Sequence, residues 1–247
     1  AAARGVVTHS SGNHGAALAL AAQPRGLAAH VVVPEGAVAA KVAAIRAYGA
    51  TLHVCAPTLA ARDEAAARIA RETGAALVHP FTNEHVIAGQ GTAALELLRE
   101  TGELDALVAP IGGGGLIGGS AIAAKGMFPR IRLFAAEPEG AAEAFESLRR
   151  GVRVTDLEPD TICDGLRATF GEINFALLRE YGVEVLPVSD AQTIAAMRLV
   201  FERLKIVIEP SSAVVLAALL RHRELFANLR VGAIFCGGNG DLDHLPW

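Results

Sequence analysis

Short apolar runs separated by alanine-rich segments of helical period limit what this chain can fold into. The runs are GVVT (5–8), AHVVVP (29–34), TLHVCAP (51–57), AALVHP (75–80), DALVAPIGG (105–113), IRLFAAEP (131–138), VEVLPVS (183–189) and VGAIFCGG (231–238). Nearly all are continuous rather than alternating, so both faces of each strand are apolar and both must be covered. That is the signature of a parallel sheet between layers of helices. The segments at 16–22, 38–48, 59–72, 83–101, 116–127, 191–204 and 211–222 carry the helical spacing that supplies those layers. The expected class is α/β, with parallel sheets covered by helices.

Pro34, Pro57, Pro80, Pro110 and Pro138 stand at or just after strand ends, where a missing backbone donor costs little. Ligands of such sheets bind beyond the carboxyl ends of the strands. The loops that matter are therefore THSSGNHG, HPFTNEH, PIGGGGLIGG, AEPEGAAE and CGGNGD. HPFTNE (79–84) is the expected crossing between two lobes, a smaller one over 4–82 and a larger one over 83–247.

Charge and composition exclude several classes. Against 26 acidic residues stand 22 Lys and Arg, for a net charge of -4, and 52% of the chain is hydrophobic. Such a chain can bury a real core and has no electrostatic demand for nucleic acid or an anionic membrane. No apolar segment approaches the ~18 to 20 residues that span a bilayer, and the start lacks the pattern of a signal peptide. Cys55, Cys163 and Cys236 are odd in number and widely spaced, without a CxxC pair. They argue against a disulfide framework or structural zinc and lead to an expected cytoplasmic location.

GGGGLIGG (112–119) follows a strand and opens a helix, and amides at a helix start attract an anion, so a phosphate is the expected occupant. Gly113, Gly115 and Gly118 also satisfy GxGxxG, with Glu137 about twenty residues on, where a dinucleotide site places an acid for the ribose. The fingerprint usually opens its domain, however, whereas this one begins past residue 105. An NAD site would also leave the other polar loops without a role. A single phosphate on a small cofactor suits the whole set better.

SSGNHG (10–15), VIAGQGT (86–92), GGGGLIGG (112–119), AAEPEGA (135–141), IEPSSA (208–213) and CGGNGDL (236–242) occur in that order. Together they closely resemble the pyridoxal-phosphate enzymes of the β-family, fold type II, in the branch of serine racemase and the serine/threonine dehydratases. The resemblance implies a two-lobed fold like that of the tryptophan synthase β-subunit, whose small lobe closes on substrate. It implies that Ser10, Ser11, Gly12 and His14 take the substrate carboxylate and that Asn13 hydrogen-bonds the 3-hydroxyl of the cofactor ring. Gly112, Gly113, Gly114 and Gly115 would cradle the cofactor phosphate, Glu209 would close over the cofactor, and Cys236 would stand opposite the pyridine nitrogen. A thiol is a weak, neutral partner, so that nitrogen need not be protonated, which favours β-elimination over a long-lived carbanion.

The implied activity is dehydration and deamination of L-serine or L-threonine to a 2-oxo acid and ammonia. Serine racemisation is the alternative: Ser11 is similar in place to a second acid/base of the racemases, although a helix cap is the commonest job for such a serine. Phe81 resembles the dehydratase pattern. Glu137, Ala141 and Glu143 resemble a divalent cation site for Mg2+ or Ca2+, with a solvated acidic turn as the bland reading. Arg68 is similar in position to an arginine near the active-site mouth, or is an ordinary surface arginine. Asp164 and Gly165 would line the other wall, His9 and His14 would flank the site without catalysing, and the expected assembly is a homodimer.

One departure is evident. The family's Schiff-base lysine lies upstream of SSGNHG in a segment like S-x-K-x-R-G-A, and no such segment is present. Lys41, Lys125 and Lys205 lie on helices or before a strand-like run, and none suits the role. The expectation is that these 247 residues are the C-terminal part of a longer enzyme and the fold is N-terminally incomplete. The alternative is a non-catalytic, ligand-binding fragment.

Overall fold

The computed structural model describes residues 4–37 and 39–247. The chain divides into two compact units, Ala1–Asn83 and Glu84–Trp247.

In the first unit, strands β1 (Val6–Thr8), β2 (Ala29–Pro34), β3 (Thr51–Cys55) and β4 (Ala76–Leu77) form a parallel sheet of order β3-β2-β1-β4. Helices α1 (Asn13–Ala22), α2 (Ala39–Ala47) and α3 (Leu59–Thr73) cover it. The sheet explains the run AHVVVP. Val31 and Val33 pack with Ala16, Ala19, Ala22 and Ile45 on one face, while Val32 joins Val7, Ala66 and Ile69 on the other. Alternate side chains enter opposite layers, so the three consecutive valine positions must all be apolar. Helix α3 starts at Thr58, whose hydroxyl accepts the Ala61 amide at 3.2 Å, and stops at the left-handed Gly74. The start of α2 expected at residue 38 lies outside the described residues.

In the second unit, β5 (Ala106–Pro110), β6 (Arg132–Pro138), β7 (Glu184–Val188) and β8 (Val231–Ala233) form a parallel sheet of order β7-β6-β5-β8. Around it lie α4 (Glu84–Thr101), α5 (Gly115–Met127), α6 (Glu143–Arg150), α7 (Glu172–Glu180), α8 (Asp190–Leu204) and α9 (Pro210–Arg221). Leu107 and Ala109 pack with Ile117, Ala121 and Leu178, whereas Ala106 and Val108 pack with Val214, Ala217 and Ala218. Gly91 of VIAGQGT has a packing reason: a Cβ on it would stand 2.6 Å from the Gly119 carbonyl oxygen, and one on Gly119 would overlap the Ile87 carbonyl. Helices α4 and α5 meet backbone to backbone there. No helix among the described residues is long and apolar enough to cross a membrane.

Two helices depart from the sequence expectation. EAFESLRR becomes α6, in a stretch read as a polar loop, and INFALLRE supplies most of α7. Both are amphipathic, but their buried positions include the polar Ser147 and Asn174 beside Ala144 and Leu178, so a count of apolar residues hides the stripe. The apolar runs at 105–113 and 231–238 also outlast their strands, which stop at Pro110 and Ala233 and leave the remaining residues as loops.

Candidate functional site

In the first unit the SSGNHG turn leaves the carboxyl end of β1 and opens α1. The N-cap is Gly12, with no side chain capping the helix, and Ser10 Oγ accepts the Gly12 amide at 3.4 Å. First-turn amides have no acceptor within their own helix, and the positive end of the helix dipole suits a carboxylate. Ser10, Ser11, Gly12, Asn13 and His14 are half-buried, as a ligand-facing turn requires. Gly15 closes it: a Cβ would overlap the Ser10 carbonyl oxygen and press on Val31 and Ile45.

Histidines surround this turn. His14 Nε2 lies 3.3 Å from the Val78 carbonyl oxygen. His79 Nδ1 accepts the amides of Phe81 at 3.4 Å and Thr82 at 3.2 Å. His9 is buried, with Nε2 3.4 Å from Asp63 Oδ1 and its ring edge-on to His79 at 4.9 Å. Burial lowers the pKa of all three, and burial with the field of His9 brings His79 down to about 4. In the unfolded chain the same groups titrate near 6.5. Between those values the unfolded state binds more protons, so the stability carried by the neutral rings is complete above about pH 6.5 and is lost as pH falls toward 4. Glu137, whose pKa burial raises to about 8, acts in the opposite sense over the same range, so the histidine contribution is read by difference. The stability gap between the unsubstituted protein and His79→Phe in denaturant unfolding should shrink by on the order of 2 kcal/mol from pH 7 to 5. A gap that does not change over that range would contradict a buried neutral His79.

Arg68 stands on α3, 54% exposed, and pairs with Glu72 one turn on at 3.4 Å. The exposed pair accounts for its position without a ligand. Lys125 Nζ donates to the Pro129 carbonyl at 3.1 Å and Lys205 Nζ to Glu202 at 2.6 Å, while Lys41 is buried in α2.

In the second unit the glycine turn links β5 to α5. Gly114 is the N-cap, with φ +88°, and no side chain caps the helix. The turn is braced from outside by two elements the sequence did not reveal. A Cβ on Gly112 would stand 2.9 Å from Leu166 Cα in the short 3-10 turn Asp164–Leu166, and one on Gly114 would stand 2.7 Å from Asn174 Cβ in α7. Asn174, fully buried, donates Nδ2 to the Gly113 carbonyl at 2.6 Å, and the Gly171 amide donates to the same oxygen at 3.3 Å. With that carbonyl turned away, the amides of the turn and of the first turn of α5 can converge on a phosphate.

The exit of β8 is sewn to the start of α9. Ser212 Oγ accepts the Cys236 amide at 3.0 Å, the Glu209 amide donates to the Gly237 carbonyl at 2.9 Å, and Ser211 Oγ accepts the Gly165 amide at 2.9 Å. Glu209 is 1% exposed at the N-cap of α9. Burial, reinforced by Glu209, pushes the Cys236 thiol up to about 12, so it is neutral at pH 7. Asn174, Ser211 and Ser212 were missed by sequence reasoning. A polar residue inside the apolar run INFALL, and a serine pair following the helix-starting Glu-Pro, were the available signals.

At the carboxyl end of β6, Glu137 is 2% exposed and accepts the amides of Ala144 at 2.8 Å and Phe145 at 2.9 Å, capping α6. The helix start therefore accounts for this acid without a ribose. Burial raises Glu137 to about 8 against the pull of those two amides, and Glu143, itself 2% exposed, adds to the rise. Burial raises Glu143 too, and its Oε1 has no hydrogen-bond partner. Ala141 ends the intervening turn Glu139–Ala141. Two buried carboxyl groups with an orphaned oxygen fit a hard cation. No group of three or more His, Cys, Asp or Glu that could hold a metal ion occurs among the described residues.

The family model "Pyridoxal-phosphate dependent enzyme" matches residues 1–237. The β-hydroxyaspartate dehydratase of Paracoccus denitrificans is 45% identical over 246 residues, covering 100% of this chain and 78% of that protein. The serine racemase of Dictyostelium discoideum is 46% identical over 246 residues, covering 98% of this chain and 76% of its own. Among solved structures, maize serine racemase superposes with a TM-score of 0.95 at 42% identity, over 98% of this chain and 75% of that one.

Proposed function

The chain belongs to the pyridoxal-phosphate dependent enzymes, in the fold type II branch of the serine racemases and hydroxy-amino-acid dehydratases, and from that premise we propose that it converts a small β-hydroxy amino acid to a 2-oxo acid and ammonia. When bound, pyridoxal phosphate supplies the electron sink that weakens the Cα–H bond. The amides at 112–115 hold its phosphate, Asn174 fixes their direction, Asn13 takes the ring 3-hydroxyl, and Glu209 closes over the ring. Ser10, Ser11, Gly12 and His14 hold the substrate carboxylate.

The observation that carries elimination is the Cys236 thiol. It is neutral, with its pKa pushed up to about 12 by burial, and standing opposite the pyridine nitrogen it would offer that nitrogen no charged partner. Such a partner would temper the electron sink the cofactor supplies, which suits loss of a β-hydroxyl. L-Serine, L-threonine and, from the dehydratase relative, 3-hydroxyaspartate form the substrate set. Protein expressed from its complete coding sequence and loaded with pyridoxal phosphate is expected to release 2-oxo acid and ammonia in equal amounts from at least one of them. No 2-oxo acid and no D-isomer from any of the three overturns the reading.

Racemisation is the second reading, and a specific observation favours keeping it. Helix α1 has no side-chain cap, so Ser11 is not spent on capping. Its hydroxyl is available as a proton donor and acceptor. Ser11→Ala should lower D-serine formation by about tenfold or more beyond any loss of 2-oxo acid formation. Equal loss of both activities would make Ser11 a carboxylate ligand alone.

Glu137, Ala141 and Glu143 are proposed to hold Mg2+ or Ca2+. Adding the ion to chelator-treated protein should raise Tm by about 3 °C or more, and Glu143→Ala should abolish the rise. An unchanged Tm in the unsubstituted protein would remove the cation site.

A further inference from the structure

His9, His79 and Asp63 have no part in the chemistry proposed above, yet they grip the substrate turn. His79 Nδ1 accepts two backbone amides, Phe81 at 3.4 Å and Thr82 at 3.2 Å, which fold residues 80–82 back over the ring. An acceptor nitrogen carries no proton, so the ring proton is on Nε2. The ring meets His9 edge-on at 4.9 Å and Phe81 edge-on at 4.5 Å. His9 is 4% exposed, lies one peptide before Ser10, and has Nε2 3.4 Å from Asp63 Oδ1, whose field acts on the ring. On the other side of the turn His14 reaches the Val78 carbonyl at 3.3 Å. Residues 9 and 14 thus flank the turn at 10–13, and both lean on residues 78–79. The charged and titratable groups acting on His79 are His9, His14 and Asp63, and Arg62 acts on His9.

We propose that His79 is a positioning residue for the substrate carboxylate: by accepting the Phe81 and Thr82 amides and packing on His9, it sets the placement of residues 10–15. The proposal rests on the reading of that turn as the carboxylate site. A shift of about an ångström in such a turn is enough to weaken binding severely. A residue serving stability alone would leave the affinity for substrate untouched.

The test compares His79→Phe, which keeps a packed ring without an acceptor, with His79→Asn, whose Oδ1 can take over the role of Nδ1 in an Asx-type turn. In the holoenzyme, saturated with pyridoxal phosphate, His79→Phe should raise KM for the amino acid by about tenfold or more, with kcat within about threefold. His79→Asn should bring KM back to within about threefold of the unsubstituted value. Wild-type KM in His79→Phe, or equal impairment by both substitutions, overturns the proposal. Amide hydrogen exchange separates this outcome from failure of the functional reading. His79→Phe should speed exchange at 10–15 as well as at 81–82, whatever the substrate. Unchanged exchange at 10–15 overturns the coupling even if no substrate is turned over. Should His79→Phe fail to fold, Asp63→Ala removes a side chain that is 54% exposed and spares the core. It must raise KM by about threefold and speed exchange at 10–15, and no change in either overturns the proposal.

Discussion

Gly114→Ala is expected to weaken pyridoxal phosphate binding by about a hundredfold or more. Two costs combine at this position. Its φ of +88° is strained for a residue with a side chain, by roughly 1 to 2 kcal/mol. The new Cβ would also stand 2.7 Å from Asn174 Cβ. Asn174 cannot retreat without releasing the Gly113 carbonyl, because it is fully buried and donates to that oxygen at 2.6 Å. The turn must open instead. Each amide withdrawn from a charged phosphate forfeits roughly 1.5 to 3 kcal/mol, so losing two accounts for the hundredfold effect. Gly126→Ala in the same helix is the control, since a Cβ there meets nothing within 4 Å. Equilibrium dialysis of the cofactor against both variants distinguishes a phosphate cradle from a turn that merely lets helix and strand pack.

Gly15→Ala should produce the complementary loss. Its Cβ would overlap the Ser10 carbonyl oxygen, with Val31 Cγ1 at 3.1 Å and Ile45 Cδ1 at 3.2 Å closing the other directions. Val31 and Ile45 are fully buried, so the backbone of the turn must yield. KM for the amino acid should rise by about a hundredfold, because the amides that take the carboxylate are those displaced. Binding of pyridoxal phosphate should change less, since this turn supplies only the Asn13 contact to the ring and residues 112–115 belong to the other unit. The pair of substitutions thus assigns substrate affinity to one turn and phosphate affinity to the other. A Gly15→Ala protein with ordinary KM would remove residues 10–15 from substrate binding.

Much of this was legible because the relevant physics is local. AHVVVP and ALVAP announce strands buried on both faces, since no alternation survives when both sides must be dry. SSGNHG and GGGGLIGG announce ligand turns because glycine and small polar donors gather where a strand ends and a helix begins. What stayed hidden depends on distant partners. Asn174 braces a carbonyl 61 residues earlier in the chain, and Cys236 leans on Ser212, 24 residues before it. Helix α6 was invisible because its cap, Glu137, lies 7 residues before the Ala144 amide it accepts. The acid that reads as a ribose or metal ligand is also the start signal of a helix whose buried face includes the polar Glu143 and Ser147.

A crystal structure of the cofactor-bound protein tests the central assignment most directly. The phosphate oxygens should lie within hydrogen-bond distance of the amides at 112–115, with the pyridine nitrogen beside Cys236 Sγ. A phosphate bound elsewhere, or a ring nitrogen paired with a carboxylate, would contradict both the cradle and the preference for elimination.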